Sequence, residues 1–289
     1  MSSGRKVKPS YDSIPESERI LARSASAFGQ DDLEALKVSF HPASEYDIIP
    51  DIKVTIPEQY ILPNINHDLL TSRNFNVENF TEISDGHVKT FVDKLHDVVK
   101  NSGVDAGTNE STTDTLVNDL LLHVTDFDNW PFKVRLQPPL QLITKCESVT
   151  AEPEFVINTN KIVLIGVEDK HLKSRKLYER SLFGEAQIAG EILAGASDNE
   201  AIESYSTDQE MFAIRVISTY VTFYRTTISP LYWEELVRDR GLPKEQSVVI
   251  KRWPGENGRT TGLNLAEPDG RKAVITDLIK IRQHLLGEK

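Results

Sequence analysis

The chain has 289 residues, 39% of them apolar and 27% charged, and a formal net charge of −11, within the range of globular proteins in water. That charge argues against a broad polyanion-binding surface, but it leaves room for a small cleft, because metal-binding carboxylates are themselves negative. A single cysteine, Cys146, excludes an internal disulfide and a multi-cysteine zinc site.

No stretch approaches the run of about 18 apolar residues that spans a bilayer, so no membrane partner is expected. The start, "MSSGRKVKPSYDS", has no apolar signal core. An intracellular location, cytoplasmic or nuclear, is the expectation.

Residues 1–40 are polar and Ser-rich and read as a mobile arm or a strap. Residues 41–107 form an accessory segment that offers a surface to a protein partner. Its first part spaces prolines through apolar residues and is expected to run extended over another surface. Its second part places Val88, Phe91, Val92, Leu95 and Val98 at helical spacing. A Gly/Asn/Thr loop at 101–109 then marks the main boundary, and residues 108–289 form the core.

Within that core, "NESTTDTLVNDLLLHV" is a helix with Leu116, Val117, Leu120, Leu121 and Val124 on one face. Strands are predicted near 139–144, 154–157 and 162–168, and a helix over 182–196. The run "FAIRVISTYVTFYRTTI" reads as one long strand or a hairpin. A short helix covers Tyr232 to Val237. The closing helix turns Val274, Leu278, Ile281 and Leu285 inward. This order implies α/β layers, with a mixed sheet flanked by helices and an N-terminal extension. Positive charge gathers in "KHLKSRKLYER" (170–180), "IKRWPGENGR" (250–259) and "GRK" (270–272).

The stretch "KIVLIGVEDKH" (161–171) draws attention because a strand apolar enough for burial on both faces ends in three consecutive charges. Desolvating such charges is costly unless they are paired or employed. Side-chain period two puts Glu168 and Lys170 on one face and Asp169 on the other. A strand-turn-strand unit earlier stands Pro153-Glu154, and Gln187 follows in the next helix.

Pro153-Glu154 followed at this distance by Glu168-Asp169-Lys170 resembles the PD-(D/E)XK nuclease superfamily, and the order of elements is similar to its αβββαβ core. The resemblance covers roughly residues 108–228. A weaker likeness in "EDKH…GEAQIAGEILA…TFYR" is to nuclease-like domains of fungal and oomycete Crinkler-type proteins. The superfamily likeness implies a Mg²⁺-dependent (or Mn²⁺-dependent) phosphodiesterase acting on nucleic acid, DNA rather than RNA. By the same likeness Glu154 and Glu168 are metal ligands and Lys170 is the catalytic lysine. Glu110 corresponds to the acidic residue of the first helix, a further metal ligand. Gln187, with Lys173, Arg175 and Lys176, would contact nucleic acid. The chain departs from the pattern in carrying Glu154 where Asp is usual, and Glu191 where a tyrosine follows the glutamine. The alternative is a catalytically inactive module of the same fold that binds nucleic acid or a protein.

Overall fold

Apolar periodicity sets the layering. In the computed structural model, which describes residues 20–102, 110–159, 162–168, 183–200, 207–238, 242–258 and 260–287, an eight-stranded mixed sheet runs in the order β1-β9-β8-β7-β6-β5-β2, with β10 paired to β8. The strands are β1 Val38–Pro42, β2 Lys133–Leu136, β5 Phe155–Asn158, β6 Ile162–Glu168, β7 Gln209–Ile217, β8 Tyr220–Ile228, β9 Val248–Trp253 and β10 Leu263–Asn264. A separate two-stranded sheet pairs β3 Leu140–Ile143 with β4 Ser148–Ala151. The main sheet is antiparallel from β2 to β6 and from β7 to β9, while β6 runs parallel to β7 and β1 parallel to β9.

Successive strand residues serve opposite faces, as period two requires. Phe155, Ile157, Phe212, Ile214 and Val216 join one apolar cluster, together with helix α4 (Gly86–Ser102), α5 (Glu110–Asp119) and α8 (Pro268–Gly287). Val156, Met211, Ala213, Tyr224 and Ile250 join the other, together with α6 (Glu185–Glu200) and α7 (Pro230–Arg238). Helices thus cover both faces, the arrangement expected when a sheet holds parallel strands joined by a helical crossover. No helix among the described residues is long and apolar enough to cross a membrane.

The helices follow their apolar spacing. Val88, Phe91, Val92, Leu95 and Val98 of α4 are all buried, as are Val274, Leu278, Ile281 and Leu285 of α8. The helix at 110–124 changes pitch: α5 ends at Asp119 and a π turn, Leu120–Val124, continues it. The wider turn keeps Leu120, Leu121 and Val124 buried. The run at 212–228 is a hairpin, turning at Ser218 with φ 56°. The strand expected near 139–144 is β3, which lies outside the main sheet. The main-sheet strand is β2, which precedes it.

Of the two N-terminal expectations, the described residues follow the strap. Residues 20–40 are not an arm but a strap and two packed elements, α1 (Gln30–Ala35) and β1. The buried carboxylate of Glu147 accepts the Ile20 N–H at 2.8 Å and the Leu21 N–H at 3.2 Å. Asp32 accepts the N–H groups of Ala22 and Gly29. Ala25 and Phe28 then press on α6 at Gly190, where a Cβ would stand 2.7 Å from that of Ala25. Residues 1–19 lie outside the described residues.

The accessory segment is likewise tied to the core. Ile48, Ile65, Leu70 and Val88 share the cluster of Phe155 and Leu278. Arg271 of α8, fully buried, donates to the carbonyls of Ile61 at 2.9 Å, Leu62 at 2.9 Å, Leu265 at 2.8 Å and to that of Ile65. The extended run is held by those bonds. The "GRK" charge at 270–272 is therefore partly structural, not an exposed patch.

Asp277 of α8 is 2% exposed, and its Oδ2 is buried with no hydrogen-bond partner. Burial, reinforced by Glu45 and opposed by Lys280, pushes its carboxyl up to about 7. A raised acid pKa means the folded state holds the proton more tightly. The benefit is complete below the usual carboxylate range and is lost as pH rises to about 7. Asp277→Asn should therefore raise the melting temperature at pH 8 by a few degrees more than at pH 4. Equal shifts at both pH values, followed by calorimetry, would contradict the assignment.

Candidate active site

The register between β5 and β6 sets the site. Phe155 pairs with Gly166. Glu154 lies one residue before Phe155 and Glu168 two residues after Gly166, so their backbones occupy the same end of adjacent antiparallel strands. The Glu168 backbone is also in register with Val216 of β7. The side chain of Glu168 lies outside what the structure describes, as does that of Glu110, whose backbone opens α5. Lys170, Lys173, Arg175 and Lys176 lie wholly outside the described residues.

Glu154 sits at a bend just before β5 and is 5% exposed. Two bonds from Gln137, the residue after β2, fix it. The Gln137 N–H donates to the Glu154 carbonyl at 3.0 Å, and Gln137 Nε2 donates to Glu154 Oε2 at 2.7 Å. Gln137 itself has φ 44°, an uncommon left-handed conformation for a residue with a Cβ. Outliers of this kind gather where the surrounding structure holds a functional geometry.

Glu154 opens onto a cleft of about 340 Å³ lined by Asp114, Thr115, Asn118, Leu136, Gln137 and Phe155. Asp114 and Asn118 are four apart on α5 and so share one helix face. The Oδ1 of Asp114 is buried and has no hydrogen-bond partner. An orphaned carboxylate oxygen is costly in a stable fold. Asp114 lies one turn beyond Glu110; the sequence spacing pointed to this helix face, but Asp114 was not among the expected residues. Gln137 and Asn118 carried no sequence signal. The oxygens gathered here, from two carboxylates and two amides, are hard donors of the kind that suits Mg²⁺. Among the described residues, no three His, Cys, Asp or Glu side chains converge to hold a metal ion.

Gln187 is not part of this cleft. It lies on α6, whose neighbouring residues Ala186, Ile188 and Ala189 pack on the other sheet face. Its Nε2 donates to Glu191 Oε1 at 2.7 Å.

Behind the strand end is a second polar cluster. Arg215 of β7, 1% exposed, is in register with Val167. Its Nη1 donates to the Phe183 carbonyl at 2.6 Å and to Asn257 Oδ1 at 2.8 Å. Arg252 is ion-paired with Glu185, the first residue of α6. Burial pushes the Glu185 carboxyl up, against the pull of Arg252 and Arg215. Burial likewise raises the Tyr224 hydroxyl, whose ring lies 5.8 Å from the Arg215 guanidinium carbon. Arg252 is thus an internal tie, and Trp253 packs at 6.1 Å from Phe223.

Replacing Asp114 by Asn should hold or raise the melting temperature by up to a few degrees, since it neutralises a buried oxygen with no partner. Thermal unfolding checks this; a fall of several degrees would show that the carboxylate supports the fold. No protein-family model matches the chain, and no curated protein matches it either.

Proposed function

We propose that the protein is a Mg²⁺-dependent phosphodiesterase acting on nucleic acid, DNA rather than RNA, on a PD-(D/E)XK-like core. The observation that carries the reading is the β5–β6 register, which sets Glu154 and the backbone of Glu168 at one end of adjacent strands. The order α5, β2, β5, β6, α6, β7, with only the last strand pair parallel, supports it, since it follows the αβββαβ pattern of that superfamily.

Glu154 and Glu168 would hold the cation, with Asp114 or Glu110 contributing from α5. Bound Mg²⁺ would supply charge neutralisation at phosphate and a lower pKa for its water. Gln137 holds the Glu154 carboxylate in one orientation before substrate arrives, which limits the reorganisation left for the reaction. Lys170, two residues beyond Glu168, is assigned to orient the attacking water or to stabilise charge on the phosphorus. Lys173, Arg175 and Lys176 are assigned to phosphate contacts, and Gln187 to the nucleic-acid strand. A protein partner at the N-terminal segment belongs to the same proposal.

One observation favours the second reading, an inactive module of the same fold. The Glu154 Oε2 already accepts a hydrogen bond from Gln137, so fewer of its lone pairs are open to a cation.

Single-turnover cleavage of oligonucleotides with Mg²⁺ or Mn²⁺ separates the two. The wild type should cleave, and Glu154→Gln and Lys170→Ala should each lose at least about 100-fold, the scale of removing one preorganised charge-stabilising group. Variants that cleave like wild type would overturn the assigned roles. A wild type that neither cleaves nor gains melting temperature with either cation is the inactive module.

A further inference from the structure

We propose that the open edge of the main sheet, strand β2 with the turn before it, is the track along which a single-stranded segment of nucleic acid reaches the cleft. This rests on the nuclease reading of that cleft and names the form of its substrate.

β2 is the last strand of the sheet order, so among the described residues no strand pairs with its outer side. Natural edges of this sort are blunted by charge or by proline, and this one has both in Pro131, Lys133 and Arg135. Both basic side chains are exposed, and neither has an ion-pair partner among the described residues. In a chain of net charge −11, two cations without an ion pair on alternate positions form a local exception, although the Asp128 carboxylate stands on the same edge at Val134.

The turn that feeds the strand carries Trp130, 82% exposed. The other two tryptophans are covered, Trp233 fully and Trp253 in part. A large aromatic face left in water next to cations is a stacking platform for an unpaired base. At the far end of β2, Leu136 is 63% exposed and forms the rim of the cleft beside Glu154. The strand covers roughly 10 Å between Lys133 and Leu136 at about 3.3 Å per residue, a span of one to two nucleotides.

The backbone adds a donor. The Val134 N–H turns outward to Asp128 Oδ1 at 3.1 Å, and the Gln137 N–H turns inward to the Glu154 carbonyl. By the alternation of an antiparallel ladder, the Leu136 N–H also points out of the sheet, where a phosphate oxygen can accept it. A duplex keeps its bases stacked inside and cannot use Trp130 in this way, so an unpaired strand is the occupant.

The test measures binding in EDTA, which separates it from hydrolysis. Anisotropy of a labelled oligothymidylate of about 20 nucleotides, longer than a typical single-strand site, is followed for the full chain. Trp130→Ala should weaken binding by about 10-fold and Trp130→Phe should restore most of it. Lys133→Ala with Arg135→Ala should lower the slope of log Kd against log salt by about 0.7 for each phosphate that is no longer neutralised. All these side chains are exposed, and an unchanged melting temperature verifies the fold. Variants that bind like wild type, or a wild type that prefers a duplex of equal length, overturn the proposal. If those variants bind like wild type while wild-type cleavage persists, only the track fails and the nuclease reading stands. Trp130-dependent binding without cleavage in any metal keeps the track and removes the nuclease reading. Concentration-dependent dimerisation that disappears in Trp130→Ala, without oligonucleotide binding, assigns the edge to self-association and overturns the track.

Discussion

The parallel pairing of β6 with β7 is the constraint on which the rest of the structure depends. A tight turn cannot join parallel strands; a long crossover must, and here it includes α6. That crossover demands a buried helix face, supplied by Ala186, Ile188, Ala189, Ile192 and Leu193. It also puts the carboxyl end of β6 beside that of β7. β5, antiparallel to β6, then starts where β6 ends. The arrangement brings Glu154 to the level of the Glu168 backbone.

The same strand end concentrates the electrostatic cost. Arg215, Arg252 and Glu185 lie behind it, each nearly out of water. Burying such groups is tolerable only with good partners, and these have them in Phe183, Asn257, Gly255 and one another, with Arg215 Nε left without one. The cluster joins three stretches distant in sequence: the start of α6, the end of β7 and the loop after β9. On the cleft side the satisfaction is incomplete, and the orphaned Asp114 oxygen is the clearest instance. Orphaned atoms also lie outside the cleft, at Arg215 Nε and Asp277 Oδ2, so the Asp114 oxygen marks the cleft only together with the Glu154 carboxylate that lines it.

What could be read in the sequence follows the strength of its periodicity. α4 and α8 were legible because a narrow apolar stripe at helical spacing leaves one choice of buried face. β5 and β6 were legible because their apolar runs are short and bounded by turn residues. β2 was not, since Lys133, Arg135 and Leu136 are exposed and only Val134 packs inward. Its strand state comes from pairing with β5, a tertiary effect that overrides local pattern. For the strap at 20–28, polar composition left arm and strap as alternatives, because its anchors, Glu147 and Gly190, lie more than a hundred residues away. Within the cleft, Glu154 could be singled out from its distance to Glu168. Gln137 could not, because its part depends on a backbone conformation that no spacing reveals.

The central claim, that a divalent cation is held between the ends of β5 and β6, is tested most directly by anomalous diffraction from a crystal soaked in Mn²⁺. The account predicts one dominant peak in the cleft, within bonding distance of carboxylate oxygens of both Glu154 and Glu168. Peaks confined to surface carboxylates, with the cleft empty, would contradict it.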